Sequence, residues 1–467
     1  VGRGHGNVNL RERCALHLYA GVMGVLQPLL RVKLRRRARV EPGYAQHVAQ
    51  RFGRDLPERP MLPQGAPLVW VHAVSLGETR AAAVLVNALR EALPDMRLLL
   101  THTTATGRAE GEKCLQPGDV QTWLPWDTPA AVRRFLTHFR PHVGVLMETE
   151  VWPQLVAACG VHRIPLMLAN ARLNEVSLAK AQRWSTLSRP AYSGLAQVCA
   201  QTAADAQRLR QLGAPAMGAW GNLKYDATPE SSQLAQAAAW RSAAPGGWPP
   251  TVLLASSREG EELQFLEEIR RLTQAGQAQG ATNGDDLGRQ QIRWWVVPRH
   301  PQRFDEVARL VQAQGFGCVR RSAWTSSGPM PDSGVSPNPL PTVWLGDSLG
   351  EMALYYALSD VALLGGSYGP YGGQNLIEAA ACGCPLVLGP HTHNFAEAAD
   401  QALAAGAAVR VADMAQGVDA AVRWLSETPS QRSQAASAAV GFAQAHRGAA
   451  RRMAAEVIRL LSLPPGR

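Results

Sequence analysis

The chain has 467 residues, 47 Lys and Arg against 37 Asp and Glu for a formal net charge of +10, and 46% apolar content. That length suits two α/β domains of roughly 150–250 residues each, with enough chain for two cores. Seven cysteines with no paired spacing beyond Cys382-Gly383-Cys384 exclude a disulfide framework, fit a reducing compartment and form no zinc pattern.

Much of the positive excess lies in the first forty residues. Ala15 to Leu30 is apolar apart from His17, Tyr19 and Gln27, and it contains Pro28. It is shorter than the ~20 residues that span hydrocarbon. Arg31, Lys33, Arg35, Arg36, Arg37 and Arg39 follow at once. A secretory signal has its basic residues on the other side and a small-residue cleavage site. An apolar run followed by clustered cations instead reads as a shallow anchor on a cytoplasmic, anionic membrane surface, with no nucleic-acid partner expected. A buried first helix with an exposed basic tail is the plainer alternative.

Glu41–Arg54 reads as a helix, and the proline-rich Leu56–Pro67 as a connection. Alternation then begins. Leu68–Val74 is a β-branched and aromatic run of the kind found in buried parallel strands, broken at Ser75-Leu76-Gly77. A helix is predicted over Glu78–Glu91. Strands follow at Arg97–Thr101, Val120–Leu124, His142–Met147, Leu166–Ala169 and Val198–Ala200, with helical segments between them. This alternation predicts a parallel sheet covered by helices on both faces. Glu78, Thr103, Thr106, Glu148, Glu150, Asn170 and Arg172 all fall just past predicted strands, the edge where open α/β sheets bind ligands. An acid at a helix start also complements the helix dipole, for a few tenths of a kcal/mol. Carboxylates gathered in a partly desolvated crevice raise one another's pKa, which suits a general base near neutral pH.

Gly221–Asp226 makes a turn that could hold Lys224 still, and Pro245–Pro250 breaks the chain. The expected organisation is an anchor over residues 1–40, a first α/β domain over 41–240 and a second α/β domain over 241–467, the last helices being free to pack back on the first domain. In the second half, strands are predicted at Thr251–Ala255, Arg293–Val297, Val343–Leu345, Val361–Leu364 and Pro385–Leu388. The polar stretches Gly276–Gln290 and Ser322–Pro341 read as insertions. Gly365–Asn375, a glycine-rich loop before a helix, is the strongest phosphate candidate, because its amides could approach an anion. It meets neither the Walker nor the dinucleotide spacing. Arg299 is the natural phosphate partner, and Glu378 could accept from ribose hydroxyls. No Asp-x-Asp motif or metal set is present.

Seven motifs in order carry a resemblance. They are S-L-G-E-T at Ser75–Thr79, E-T-E-V-W-P at Glu148–Pro153, A-N-A-R-L at Ala169–Leu173, G-N-L-K-Y-D at Gly221–Asp226, P-R-H-P at Pro298–Pro301, G-D-S-L-G-E at Gly346–Glu351 and G-P-H-T-H-N-F at Gly389–Phe395. Together they resemble the 3-deoxy-D-manno-octulosonic acid (Kdo) transferases over nearly the whole chain. The resemblance implies two Rossmann-like domains in the glycosyltransferase B architecture with a membrane-associated N-terminal helix. It also implies transfer of Kdo from a CMP-Kdo donor to the lipid A precursor, with inversion and no cofactor, at the cytoplasmic face of the inner membrane. Glu78 would be the proton acceptor, with Glu148 and Lys224 supporting the transition state. CMP would be held by Pro298 and Arg299, by Leu349, Gly350 and Glu351, and by Asn375, Leu376, Ile377 and Glu378. Leu376-Ile377 stands where many relatives have Pro-Leu. A UDP-sugar-dependent lipid transferase of the same fold is the alternative, and a non-catalytic membrane-surface binder a remote one.

Overall fold

The computed structural model describes residues 9–226, 228–244, 246–278, 292–325, 328 and 340–463. Most of the two expected polar insertions, residues 279–290 and nearly all of 326–339, lies outside the described residues. The chain divides into two compact units, Val1–Ala227 with His446–Arg467, and Thr228–Ala445.

Unit 1 holds β1 (Leu68–His72), β2 (Arg97–His102), β3 (Val120–Trp123), β4 (Val143–Met147), β5 (Leu166–Ala171), β6 (Gln197–Ala200) and β7 (Ala216–Ala219). They form one sheet in the order β3-β2-β1-β4-β5-β6-β7, and every pair is parallel. β1, Leu-Val-Trp-Val-His, is buried along its whole length, as a central parallel strand covered on both faces should be. Its two faces feed separate cores, one around Trp70, Phe135 and Phe139, the other around Val71, Leu85 and Leu89.

The second core also contains Met453, Val457 and Leu460 of the C-terminal helix Ala449–Leu461. Each such side chain contributes about 1.5–3 kcal/mol when fully buried. Asp226 fixes the start of that helix by accepting from the Gly448 and Ala450 N–H groups. The final residue of the G-N-L-K-Y-D motif is therefore a structural cap across 222 positions of sequence.

Unit 2 repeats the plan with β8 (Thr251–Ser257), β9 (Arg293–Pro298), β10 (Gly317–Arg320), β11 (Thr342–Leu345), β12 (Val361–Leu364), β13 (Leu386–Leu388) and β14 (Ala408–Arg410). The order is β10-β11-β9-β8-β12-β13-β14, again with every pair parallel. The helix Ser231–Ala243 belongs to this unit, because Arg241 bonds the Ala357 carbonyl and Asp360.

Two local expectations change. Glu41–Arg54 is not a continuous helix but two 3-10 turns, Pro42–Ala45 and Val48–Phe52. His47 at φ 50° and Gly53 at φ 66° are left-handed and stop propagation. The N-terminal segment is two helices, Leu10–Val25 and Gln27–Ala38, bent by 51°. Among the described residues no single helix is long and apolar enough to cross a membrane.

Candidate functional site

In both sheets the strand order reverses between two central neighbours, β1/β4 in unit 1 and β8/β12 in unit 2. Loops leaving the carboxyl ends of such a pair diverge and open a crevice. Glu78 follows β1 and Glu148 follows β4. The two carboxylates that the sequence places at separate strand ends thus share one switch point.

Glu78 sits in the first turn of the helix Leu76–Ala92, whose N-cap is Ser75. Ser75 Oγ accepts from the Glu78 N–H at 3.3 Å and donates back to the carboxylate at 3.1 Å, while the Val74 N–H donates to its other oxygen at 2.9 Å. This is a variant of the capping box, with the glutamate reaching one residue beyond the cap. Helix-start chemistry therefore fixes the carboxylate. Burial is the main reason its pKa is raised; the Val74 bond opposes this, and the charges of Glu148 and Glu150 add to it. The carboxylates gathered in the crevice do raise this pKa, but desolvation leads and the Glu148 charge follows.

Glu148 is buried, with φ 55°, a left-handed conformation uncommon for a non-glycine side chain and concentrated at functional sites. Arg172 Nε lies 2.7 Å and Lys224 Nζ 3.9 Å from its two oxygens. Lys224 is steadied from below. Asn170, fully buried at φ 53°, accepts the Leu223 N–H at 3.0 Å. Leu223 is itself fully buried, and Asn222 accepts the Lys224 N–H at 3.0 Å. The A-N-A-R and G-N-L-K motifs are thereby one construction, assembled around Glu148. Beside it, Glu150 accepts from Trp152 Nε1 at 3.0 Å and lies 3.9 Å from His72 Nε2.

In unit 2, Pro298 ends β9 and is buried, and Arg299 is exposed, its Nε donating to Gln374 at 3.1 Å. Asn375 caps the short helix Leu376–Ala381 by accepting the Ile377 N–H at 3.2 Å. Leu376 and Ile377 are buried, so they present backbone rather than side chain, and Glu378 is half-buried in the first turn. Leu349 is exposed, and Gly350, at φ 80°, offers its carbonyl to Gln233 at 2.8 Å. Glu351 is held by Arg321 at 2.8 Å and by the Ser348 hydroxyl. Gln374 and Arg299 join the Pro298 and Asn375 motifs directly. The Leu349–Glu351 turn has partners of its own, among them Arg321, which lies outside every motif.

The glycine-rich loop differs from expectation. Its first half does not stand open to an anion, because a protein carboxylate already occupies three of its amides. Glu261, buried behind the loop, accepts from Gly366 at 2.8 Å, Tyr368 at 3.1 Å, Gly369 at 3.2 Å and Arg258 at 2.8 Å. Burial raises its pKa against the pull of those four bonds. The sequence signal was present, since Glu261 opens a helix one residue after Gly260, but its three partners in the loop lie more than a hundred positions away. Among the described residues, no cluster of three or more His, Cys, Asp or Glu side chains could hold a metal ion.

The family profile described as 3-Deoxy-D-manno-octulosonic-acid transferase (kdotransferase) matches residues 46–227. The chain is 46% identical over 442 residues to the 3-deoxy-D-manno-octulosonic acid transferase of Bordetella pertussis, covering 93% of this chain and 97% of that one. It is 29% identical over 440 residues to the enzyme of that name from Haemophilus influenzae, covering 93% and 96%. Among solved structures, a glycosyltransferase from Rickettsia africae superposes with a TM-score of 0.53 at 11% identity, over 86% of this chain and all of that one. That likeness bears on the fold alone, the two-sheet glycosyltransferase B architecture.

Proposed function

The chain belongs to the 3-deoxy-D-manno-octulosonic acid transferase family, and from that premise we propose that it transfers Kdo from CMP-Kdo to a lipid A precursor with Glu78 as the base. It is a glycosyltransferase acting in lipopolysaccharide core biosynthesis. The observation that carries the site assignment is the pairing of Glu78 and Glu148 at one switch point, the first held by a helix start and the second by Arg172 and Lys224.

An acceptor hydroxyl oxygen attacks the anomeric carbon of Kdo while Glu78 takes its proton. The bond from that carbon to the CMP oxygen breaks, CMP leaves with the electron pair, and the anomeric configuration inverts. A positioned base contributes ~10²–10⁴-fold to such a step. Burial makes Glu78 a stronger base than an ordinary carboxylate, and its two hydrogen bonds fix the direction of the remaining lone pairs. Glu148 fixes the Lys224 ammonium, which offsets negative charge as it develops. On the donor side, Pro298 and Arg299, the Leu349–Glu351 turn and the Asn375–Glu378 helix start bind CMP. Arg299 supplies the cation for the phosphate. With Glu261 holding the Gly366–Gly369 amides, the loop acts as a shaped wall rather than an anion cradle.

The N-terminal helices meet the cytoplasmic face of the inner membrane in this reading. Leu18, Val22, Val25, Leu29 and Val32 are all exposed, and their 4-3-4-3 spacing makes one stripe along both helices. Exposed Arg31, Lys33, Arg35, Arg36 and Arg37 accompany it. The deciding experiment incubates the full chain and lipid acceptor with CMP-Kdo or with UDP-sugars and weighs the product by mass spectrometry. A mass gain of Kdo with CMP-Kdo alone is expected, and turnover only with a UDP-sugar would overturn the assignment.

A further inference from the structure

Two strands along the same sheet edge from the Glu78 turn, three arginines crowd a pair of aromatic rings. Tyr44 and Trp123 stack with centroids 6.5 Å apart and planes 9° from parallel. The Arg51 guanidinium lies 3.9 Å from the Trp123 centroid and 6.0 Å from that of Tyr44. Arg37 lies 5.4 Å from Tyr44, and Arg108 lies 5.1 Å from Trp123. Among the described residues, no carboxylate forms an ion pair with any of these guanidinium groups.

Arg51 is only 1% exposed. Its Nη2 donates to the Thr103 carbonyl at 3.0 Å, but its Nε is buried with no hydrogen-bond partner, as are Arg108 Nη1 and Trp126 Nε1. Ring faces attract the charge yet accept none of the in-plane N–H donors. Burial, with Arg108 and Arg37 nearby, lowers the Arg51 pKa to about 10 although Tyr44 opposes the shift. Burial likewise lowers that of Arg108, with the Glu112 charge opposing the shift. Arg51 is thus a buried cation with an empty donor, flanked by the part-buried Arg108 and the exposed Arg37 and ion-paired to no carboxylate among the described residues, a costly arrangement that an acceptor-rich anion relieves.

Placement narrows the anion. Thr103 and Trp126 leave the ends of β2 and β3, which lie beside β1 in the sheet. Neighbouring strands are about 4.8 Å apart, so the cluster lies about 10 Å along the edge from the Glu78 turn. Arg37 belongs to the basic N-terminal helix Gln27–Ala38. We propose that Arg37, Arg51 and Arg108 form a phosphate-binding subsite that takes a phosphate monoester on the acceptor's headgroup. The headgroup source rests on the function proposed above, while the phosphate chemistry rests on the unpartnered donors.

The test uses the full chain, wild type and Arg108→Gln, with Arg51→Lys as a second variant that keeps the charge but loses the planar fork. Inorganic phosphate is expected to raise the wild-type melting temperature where chloride at equal ionic strength does not, and Arg108→Gln is expected to abolish that shift. In transfer assays Arg108→Gln and Arg51→Lys should raise KM for the phosphorylated acceptor about tenfold, with kcat and the CMP-Kdo KM within about twofold. After phosphatase treatment of the acceptor, wild type and variants should share the high KM. No phosphate-specific melting shift, or a KM rise of equal size on both acceptors, overturns the subsite. A shift in melting with an unchanged acceptor KM marks a site for free phosphate and overturns the headgroup source. If the wild type transfers no Kdo, the proposed function fails, and the melting arm still decides whether phosphate binds here.

Discussion

Both oxygens of the Glu78 carboxylate accept hydrogen bonds, from Val74 and Ser75, yet burial still holds its pKa above the ordinary range. The base must be ionised to work, so the acid limb of the kcat/KM profile should lie above that of a free carboxylate. Glu148 adds to the upward shift, so Glu148→Gln should move the limb to lower pH; a limb that moves up would remove Glu148 as a contributor. Glu78→Gln should lower kcat by ~10²–10⁴-fold. Glutamine keeps one oxygen to accept from Val74 and can donate its amide N–H to Ser75 Oγ, so the melting temperature should barely change, and a large fall would mean the loss comes from the helix start. The residue types were legible here: a glutamate after a strand and a serine three positions earlier announce both a cap and a base. That Glu148 would take left-handed backbone was not legible, because its partners come from other segments of the chain: its N–H donates to the Ala169 carbonyl, its carbonyl accepts from the Arg172 N–H, and its carboxylate meets Arg172 and Lys224.

Loops and helices show what single motifs conceal. Gly365–Asn375 has the composition of an anion cradle, but Glu261 comes from another part of the unit to fill it. Each buried N–H left without a partner costs about 1–3 kcal/mol. Glu261→Ala should therefore lower stability by several kcal/mol and raise the CMP-Kdo KM, measured by urea unfolding and initial rates. An unchanged donor KM would detach the loop from the nucleotide. Asp127 plays a similar part in unit 1, accepting the Gln154 and Leu155 N–H groups at 3.0 and 2.8 Å and bonding Tyr19 of the first helix. Burial raises its pKa from 3.8 to about 6. Between those values the folded state holds a proton that the unfolded state has released, so stability falls as pH rises through that window. Melting curves across the window should show a shallower slope for Asp127→Asn. An identical slope would place the titration elsewhere.

At the scale of the whole molecule, each unit is a seven-stranded parallel sheet with its order reversing at the centre, and the first unit is completed by the last helix of the chain. In the function proposed above, the exposed apolar stripe and the cations that accompany it are the membrane-directed face of the first unit. Each Lys or Arg near an anionic leaflet contributes ~1 kcal/mol, screened by salt. The full chain should float with anionic vesicles at low salt and less at high salt, and a chain lacking residues 10–40 should not. Equal flotation of both would place the membrane contact elsewhere.

Strand and helix alternation, the polar residues waiting at strand ends and the ordered motifs are properties of the sequence alone, because hydrophobic periodicity and helix-start chemistry act over a few residues. The tertiary structure decided which of those residues meet. Asn170 steadies Leu223, Glu261 fills the glycine loop, and Asp226 caps a helix 222 positions away. Arg51 sits between ring faces rather than on a helix surface, since its segment folds as 3-10 turns against the sheet edge. Each of these contacts joins segments far apart in the chain, where burial and unsatisfied hydrogen-bonding groups set the partner and local pattern carries no record of it.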